Sequence, residues 1–182
     1  MTDIAHRRHF ATPEELDKVR RYQEITWHYI ESFFDNTQGK DVLDVGASEG
    51  WLKKFVRGNY CAIDISPLGD YVLPGTILQV GNLFPDKRFD LIVYEHVLEH
   101  VDSPLENLYA AFQIMKPLTS FLFIAVPYVT APWAWEETTH LHLFNEVNLL
   151  KMLIKAGFTP IEWLTLSLRK DAVELWMVSK KL

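Results

Sequence analysis

Apolar residues return along this chain in two rhythms, and the change between them falls near Gly39. Before it, Leu16, Val19, Tyr22 or Gln23, Thr26 or Trp27, Ile30 and Phe33 recur at helical spacing, which predicts one amphipathic helix running to about Phe34. Its start is marked by Thr12-Pro-Glu-Glu15, with Thr12 at N-cap, Pro13 at N1 and Glu15 closing a capping box. Residues 1 to 11 form a polar tail that carries His6 and His9.

Beyond Gly39 short apolar runs alternate with helical patterns, which argues a parallel sheet covered on both faces. The spacing predicts strands near 41 to 46, 60 to 65, 76 to 80, 89 to 94 and 120 to 127, with helices near 50 to 57, 104 to 116 and 145 to 156. Two final strands, near 159 to 168 and 172 to 179, are joined by Arg169-Lys-Asp171. So short a link makes them an antiparallel hairpin, because parallel neighbours need a crossover of about a dozen residues. Residues 66 to 75 hold two prolines and two glycines, which leaves hardly a turn of helix at that edge of the sheet. The long irregular stretch from Tyr128 to His140 carries Trp133 and Trp135, apolar area that either packs on the first helix or walls a pocket.

The first strand breaks into a loop, Asp41-Val-Leu-Asp-Val-Gly-Ala-Ser-Glu-Gly50, whose glycines let the backbone run close under a ligand. Asp44 sets a carboxylate at the same edge. The second strand ends in Asp64, 18 residues after Gly46, where an acid can accept hydrogen bonds from both ribose hydroxyls of an adenosine. The same Asp would also cap an ordinary turn before Ser66-Pro67. A nicotinamide fingerprint needs G-x-G-x-x-G, and here Ser48 stands at its second glycine.

The D-x-G-x-x-x-G loop instead resembles the first motif of class I S-adenosylmethionine-dependent methyltransferases, in their broad small-molecule branch. Gln79-Val-Gly-Asn-Leu-Phe84 resembles the third-strand loop that meets adenine in that family. The run from Phe89 to Pro104 resembles its fourth strand and following turn, and Phe121 to Pro127 its fifth strand. His140 through Phe158 resembles its post-strand loop and helix, so the likeness covers roughly residues 40 to 182. It implies an α/β, Rossmann-like, mostly parallel sheet of about seven strands with a C-terminal antiparallel hairpin and an N-terminal helix. The expected layout is one methyltransferase domain over 1–182, with tail and helix in 1–38 and the cofactor-binding core in 39–182. The N-terminal helix is then either packed or a lid across the cofactor mouth, and the two are compatible. The implied cofactor is S-adenosylmethionine, with S-adenosylhomocysteine as product, held by Asp44, Gly46, Ala47, Gly50, Asp64, Ile65, Asn82, Leu83, Tyr94 and Glu95. Ser48 and Asn82 depart from the family's usual glycine and aspartate, although an asparagine oxygen still accepts from an adenine amino group.

Composition narrows the partners. The 182 residues fit one unit of ordinary size, and 48% apolar residues supply a full core. A net charge of −6 with only scattered basic pairs gives no footprint for a nucleic-acid backbone, so none is expected as a partner. One cysteine, Cys61, inside an apolar strand excludes a disulfide framework. The first ten residues have no apolar leader core, and the longest apolar run is far short of the roughly 20 residues that span a bilayer. A cytoplasmic protein with no membrane partner is the expectation, and oligomeric state is not readable.

Methyl transfer to a hydroxyl requires a base, for which histidine is suited. The candidates are His96, His100 and His140 as catalytic residues, with His142 near them. As a set, His96, Glu99 and His100 lie within about one helical turn and His140 returns from the later loop, a combination able to bind a divalent metal. It resembles the E-x-x-E-H…H metal site of small-RNA 2′-O-methyltransferases and ubiquinone-pathway O-methyltransferases, with His96 in place of the first Glu and Glu95 adjoining. The preferred expectation is no metal, with Glu99 and His100 tied to backbone groups. The leading function is methyl transfer to a small-molecule acceptor, at oxygen in preference to nitrogen or carbon. Its rivals are a non-catalytic adenosylmethionine-binding module and a nicotinamide-dependent oxidoreductase.

Overall fold

The computed structural model describes residues 13–33, 36–169 and 172–182, without the side chains of 13–16, 168 and 169. The expected Thr12 cap, the Glu15 side chain, the tail histidines His6 and His9, and the Lys170-Asp171 turn lie outside what is described. Helix α1 runs Pro13–Glu31, and strands β1 Asp41–Val45 and β2 Asn59–Asp64 follow. Then come β3 Leu73–Pro74, helix α2 Val80–Leu83, β4 Leu91–Glu95 and α3 Pro104–Ile114. The chain closes with β5 Ser120–Pro127, α4 Pro132–Glu136, α5 Glu146–Ala156, β6 Thr159–Arg169 and β7 Ala172–Lys181.

The seven strands form one sheet in the order β3-β2-β1-β4-β5-β7-β6. All neighbours are parallel except β7, which runs antiparallel to both β5 and β6. The expected mostly parallel sheet with its terminal hairpin is therefore present. Strand order turns back between β1 and β4, the place where open sheets leave a crevice beyond their carboxyl ends. Side-chain alternation sends Leu43, Val45, Ile92, Tyr94, Leu122 and Ile124 to one core with α3 and α5. Val42, Leu91, Val93, Phe123 and Trp176 go to the other, against Trp27 and Ile30 of α1. Burying each of those two α1 side chains is worth about 1.5 to 3 kcal/mol, so along this stretch the helix is packed.

Local sequence explains the helix ends. Ser103 caps α3 by accepting from the Glu106 amide, with Pro104 at its first turn. Asn145 and Asn148 exchange side-chain and backbone bonds at the start of α5.

Three expectations need correction. The strand expected near 76 to 80 is helical: a 3-10 turn Ile77–Gln79 leads into α2, and the third strand is Leu73–Pro74. The reason is a capping box in which the Gln79 side chain accepts from the Thr76 amide at 3.0 Å, while Ile77 and Val80 bury at helical spacing. The helix expected over 50 to 57 is only a 3-10 turn, Trp51–Lys54. The loop after β5 contains the short helix α4, which was not expected.

Candidate active site

β1 and β4 end side by side, Val45 opposite Tyr94, so the loop after β1 and the turn after β4 share one edge. The Gly46 and Ala47 amides both donate to Ile63 O on β2, at 2.9 and 3.1 Å. Gly46, Ser48 and Gly50 all take left-handed φ values, of 72, 49 and 72°. Glycine is needed at two of these for a reason the sequence did not show. A Cβ on Gly46 would lie 2.3 Å from Val97 Cγ2, and one on Gly50 would lie 2.5 Å from the Tyr71 ring. The neighbours that exclude a side chain are thus parts of the protein.

Asp64 holds this loop as well as facing outward. Its Oδ2 accepts from the Ser48 amide at 2.8 Å and its Oδ1 from the Ser66 amide at 2.7 Å. A carboxylate oxygen has a second acceptor direction, so the turn role and a ribose role coexist. Ile65, next in line, is 82% exposed and leaves a bare apolar face beside that carboxylate. Asp44 is buried and accepts from Tyr60 Oη at 2.7 Å. Burial pushes its carboxyl up to about 7; the Tyr60 bond opposes this, and the charges of Glu95 and Asp64 add to it. These features fit a ligand with a ribose, an apolar ring and a cationic arm.

Ala47 is buried under the loop against Ala62 and Val72. Leu83 reaches the same edge through Gly75, whose amide donates to Asp64 O, while Asn82 is exposed on α2 and not at a strand end. Tyr94 departs from expectation. Its side chain is fully buried and its hydroxyl donates toward Asn107 O of α3, so only its backbone faces the site edge. Glu95 accepts from Trp51 Nε1 at 2.7 Å, and burial raises its carboxyl, with the charge of His96 and bonds from Tyr22 and Trp51 opposing.

His96 sits at the head of the β4 turn with φ of 55°, unusual for a residue with a side chain. Its Nδ1 lies 3.2 Å from Glu99 Oε1 and its Nε2 3.0 Å from Glu174 Oε1. Burial alone would lower its pKa, but the hydrogen bonds to Glu174 and Glu99 raise it to about 10. His96 is therefore an imidazolium with both nitrogens donating, which removes it from the general-base role expected of it. Glu174 also accepts from Tyr22 Oη at 3.0 Å and Trp176 Nε1 at 2.7 Å. Burial pushes the Glu174 carboxyl up, yet the bond and charge of His96 hold it below the usual range. Tyr22, Trp51 and Glu174 were not anticipated as site residues. Glu174 could have been suspected, since it is the one acid among the apolar residues from Ala172 to Val178.

The other histidines gather beside the β4 turn. The Glu99 carbonyl accepts from the Leu141 and His142 amides, which draws the later loop onto the β4 turn. His100 Nδ1 lies 3.1 Å from Thr139 O, and His140 Nδ1 lies 3.0 Å from Ala134 O. A carbonyl only accepts, so each Nδ1 donates and, in the neutral ring, leaves Nε2 as the lone-pair nitrogen. The two rings stand 4.8 Å apart. His142 gives its Nε2 to Val101 O and is tied to the backbone. Glu99 is fully buried, and its Oε2 has no hydrogen-bond partner. Ligand atoms of Glu99, His100 and His140 all lie within 4.8 Å of one another, a set that could hold a metal ion. Trp133 stands between His96 and His140, at 5.4 and 5.7 Å, and so walls this side, whereas Trp135 is exposed.

Residues 14–162 match the family model described as a methyltransferase domain. No curated protein matches the sequence. Among solved structures, the S-adenosylmethionine-dependent methyltransferase from Archaeoglobus fulgidus is similar at 18% identity and a TM-score of 0.64, over 87% of this chain and 94% of that one. The N-methyltransferase NodS from Bradyrhizobium japonicum is similar at 14% identity and a TM-score of 0.67, over 91% and 97%. The 4+2 cyclase SpnF shares 15% identity and a TM-score of 0.68, over 88% and 80%. Identities this low speak for the fold, and the family match speaks for the chain.

Proposed function

This chain belongs to the methyltransferase-domain family and is an S-adenosylmethionine-dependent methyltransferase, and we propose that its acceptor is a small molecule methylated at a hydroxyl oxygen. The observation that carries the reading is the pair His100 and His140, each with Nδ1 engaged by a carbonyl and Nε2 left to accept. A hydroxyl must shed its proton as its oxygen attacks, and an imidazole can take it. Adenosylmethionine supplies the methyl group already activated on sulfonium, so positioning does much of the rest. Asp64 would hold the ribose hydroxyls, Asp44 and the Gly46–Gly50 backbone with Ala47 the methionine end, and Ile65, Asn82 and Leu83 the adenine. Glu95, which accepts from Trp51 Nε1, would lie beneath the cofactor. Net charge of −6 supports a small acceptor over a nucleic acid. No helix among the described residues is long and apolar enough to cross a membrane, and with one buried cysteine this supports a cytoplasmic setting.

A second reading places a divalent metal on Glu99, His100 and His140, and the unpartnered Glu99 Oε2 favours it. A metal there would lower the pKa of an acceptor hydroxyl. His96 is outside this ligand set, because both its nitrogens serve carboxylates. One experiment separates the readings. His140→Ala is expected to lower kcat roughly 100-fold while leaving adenosylmethionine affinity within about 2-fold. With histidine bases, a chelator leaves the wild-type rate unchanged and elemental analysis finds no divalent ion; with a metal, the chelator suppresses turnover. Equal losses of rate and affinity in His140→Ala would overturn the acceptor-side assignment.

Cofactor affinity should also depend on pH. Asp44 is pushed up to about 7, so near neutrality it is partly protonated, and a cationic ligand binds its ionised form better. Adenosylmethionine affinity is expected to rise from pH 6 to pH 8 and then level, with Asp44→Asn flattening the rise. Calorimetry across that range checks it, and a falling affinity would be the wrong sign.

A further inference from the structure

The segment between β2 and β3 does more than cross the sheet edge. It holds Pro67 and Gly69, and over 66–72 it lies against the loop after β1. The Leu68 and Gly69 amides donate to Ser48 O at 3.0 and 3.1 Å. A Cβ on Gly69 would come within 2.7 Å of Glu49 O, so this strap is seated directly on the loop backbone.

Tyr71 completes the hold. Its hydroxyl lies 2.9 Å from Glu49 O and 3.2 Å from Gly50 O. Its ring fills the space that a side chain on residue 50 would need. Lys53, on the turn that follows the loop, puts its Nζ 3.7 Å from the Tyr71 ring centroid, a cation-π contact. Tyr60 meets the same ring edge-on at 6.2 Å while donating to Asp44. Residues 48, 49 and 50 are thus each gripped from one side by the strap.

We propose that Tyr71 is a positioning residue for the methyl donor: beside the strap amides that hold Ser48, it clasps the Glu49–Gly50 backbone in its binding shape before the ligand arrives. The proposal rests on adenosylmethionine occupying this loop, as argued above. A loop held in one left-handed geometry loses little freedom on binding, and that preorganisation appears as affinity. Tyr71 is 43% exposed, so removing its hydroxyl costs the fold little, and its effect is concentrated on the loop.

The test compares wild type, Tyr71→Phe and Tyr71→Ala by calorimetry with adenosylmethionine, steady-state kinetics and amide exchange over residues 46–50. Tyr71→Phe is expected to raise the adenosylmethionine Kd about 5-fold and Tyr71→Ala roughly 50-fold. At saturating cofactor, kcat and acceptor KM should stay within about 2-fold, and the loop amides should exchange faster. Equal Kd in wild type and Tyr71→Phe, or a loss confined to kcat, would overturn the clasp. Absence of adenosylmethionine binding to wild type would instead overturn the cofactor reading, and the clasp with it.

Discussion

A Gly46→Val chain is expected to lose adenosylmethionine binding by more than about 1000-fold while keeping most of its helical signal. The new side chain meets two obstacles at once. Residue 46 has φ of 72°, where a β-branched residue is a genuine outlier, at a cost of order 1 to 3 kcal/mol. Its Cβ would also lie 2.3 Å from Val97 Cγ2. Val97 follows His96, which is itself held at φ of 55° by its bonds to Glu99 and Glu174. Relief of the clash therefore moves either the loop or the turn after β4, and both lie at the edge where the cofactor is proposed to bind. Calorimetry reads the affinity and circular dichroism the fold. Near wild-type affinity in a folded variant would mean that the ligand does not use this loop.

The strands β4 and β5 were legible because Leu91–Tyr94 and Phe121–Val126 are short, continuous apolar runs, and β1 because Val42, Leu43 and Val45 lead directly into the glycine loop. Thr76 to Val80 was not. Ile77, Leu78 and Val80 satisfy a strand and a helix equally, and the decision falls to the bond between Gln79 and the Thr76 amide, which hydrophobic pattern does not register. The helix expected after Gly50 is cut to a 3-10 turn, and Gly58 soon follows, where a Cβ would meet Lys40 O at 2.2 Å. The site divides along the same line. Asp44, Gly46, Gly50 and Asp64, proposed to hold the cofactor, lie in one strand-loop-strand unit, so local spacing brings them together. Tyr22 and Glu174 are 152 residues apart and meet only because β7 inserts between β5 and β6 beneath α1. Spacing has no access to that pairing, nor to the contact of His96 with Glu174, which together with Glu99 raises the His96 pKa to about 10.

Glu174→Leu is expected to cost about 3 to 5 kcal/mol of stability, because it removes one side of a buried ion pair and leaves the other charge in place. Glu174 accepts three donors, from His96, Tyr22 and Trp176, and all three lose their acceptor together. Glu174→Gln keeps an acceptor oxygen of the same shape and should lose less, about 1 to 2 kcal/mol. Urea unfolding with an unchanged m-value measures both. A double-mutant cycle with Tyr22→Phe should return a coupling of about 0.5 to 3 kcal/mol, since the two side chains share one hydrogen bond. A loss below about 1 kcal/mol in Glu174→Leu would mean that the network does not hold α1 and β7 to the β4 turn. The same substitution should lower the transfer rate in the folded protein, although Glu174 lies behind His96. With Glu174 gone, Glu99 is the imidazolium's remaining carboxylate, and Glu99 is also the buried acid beside His100 and His140. Drawing Glu99 toward His96 disturbs the two histidines assigned to the acceptor.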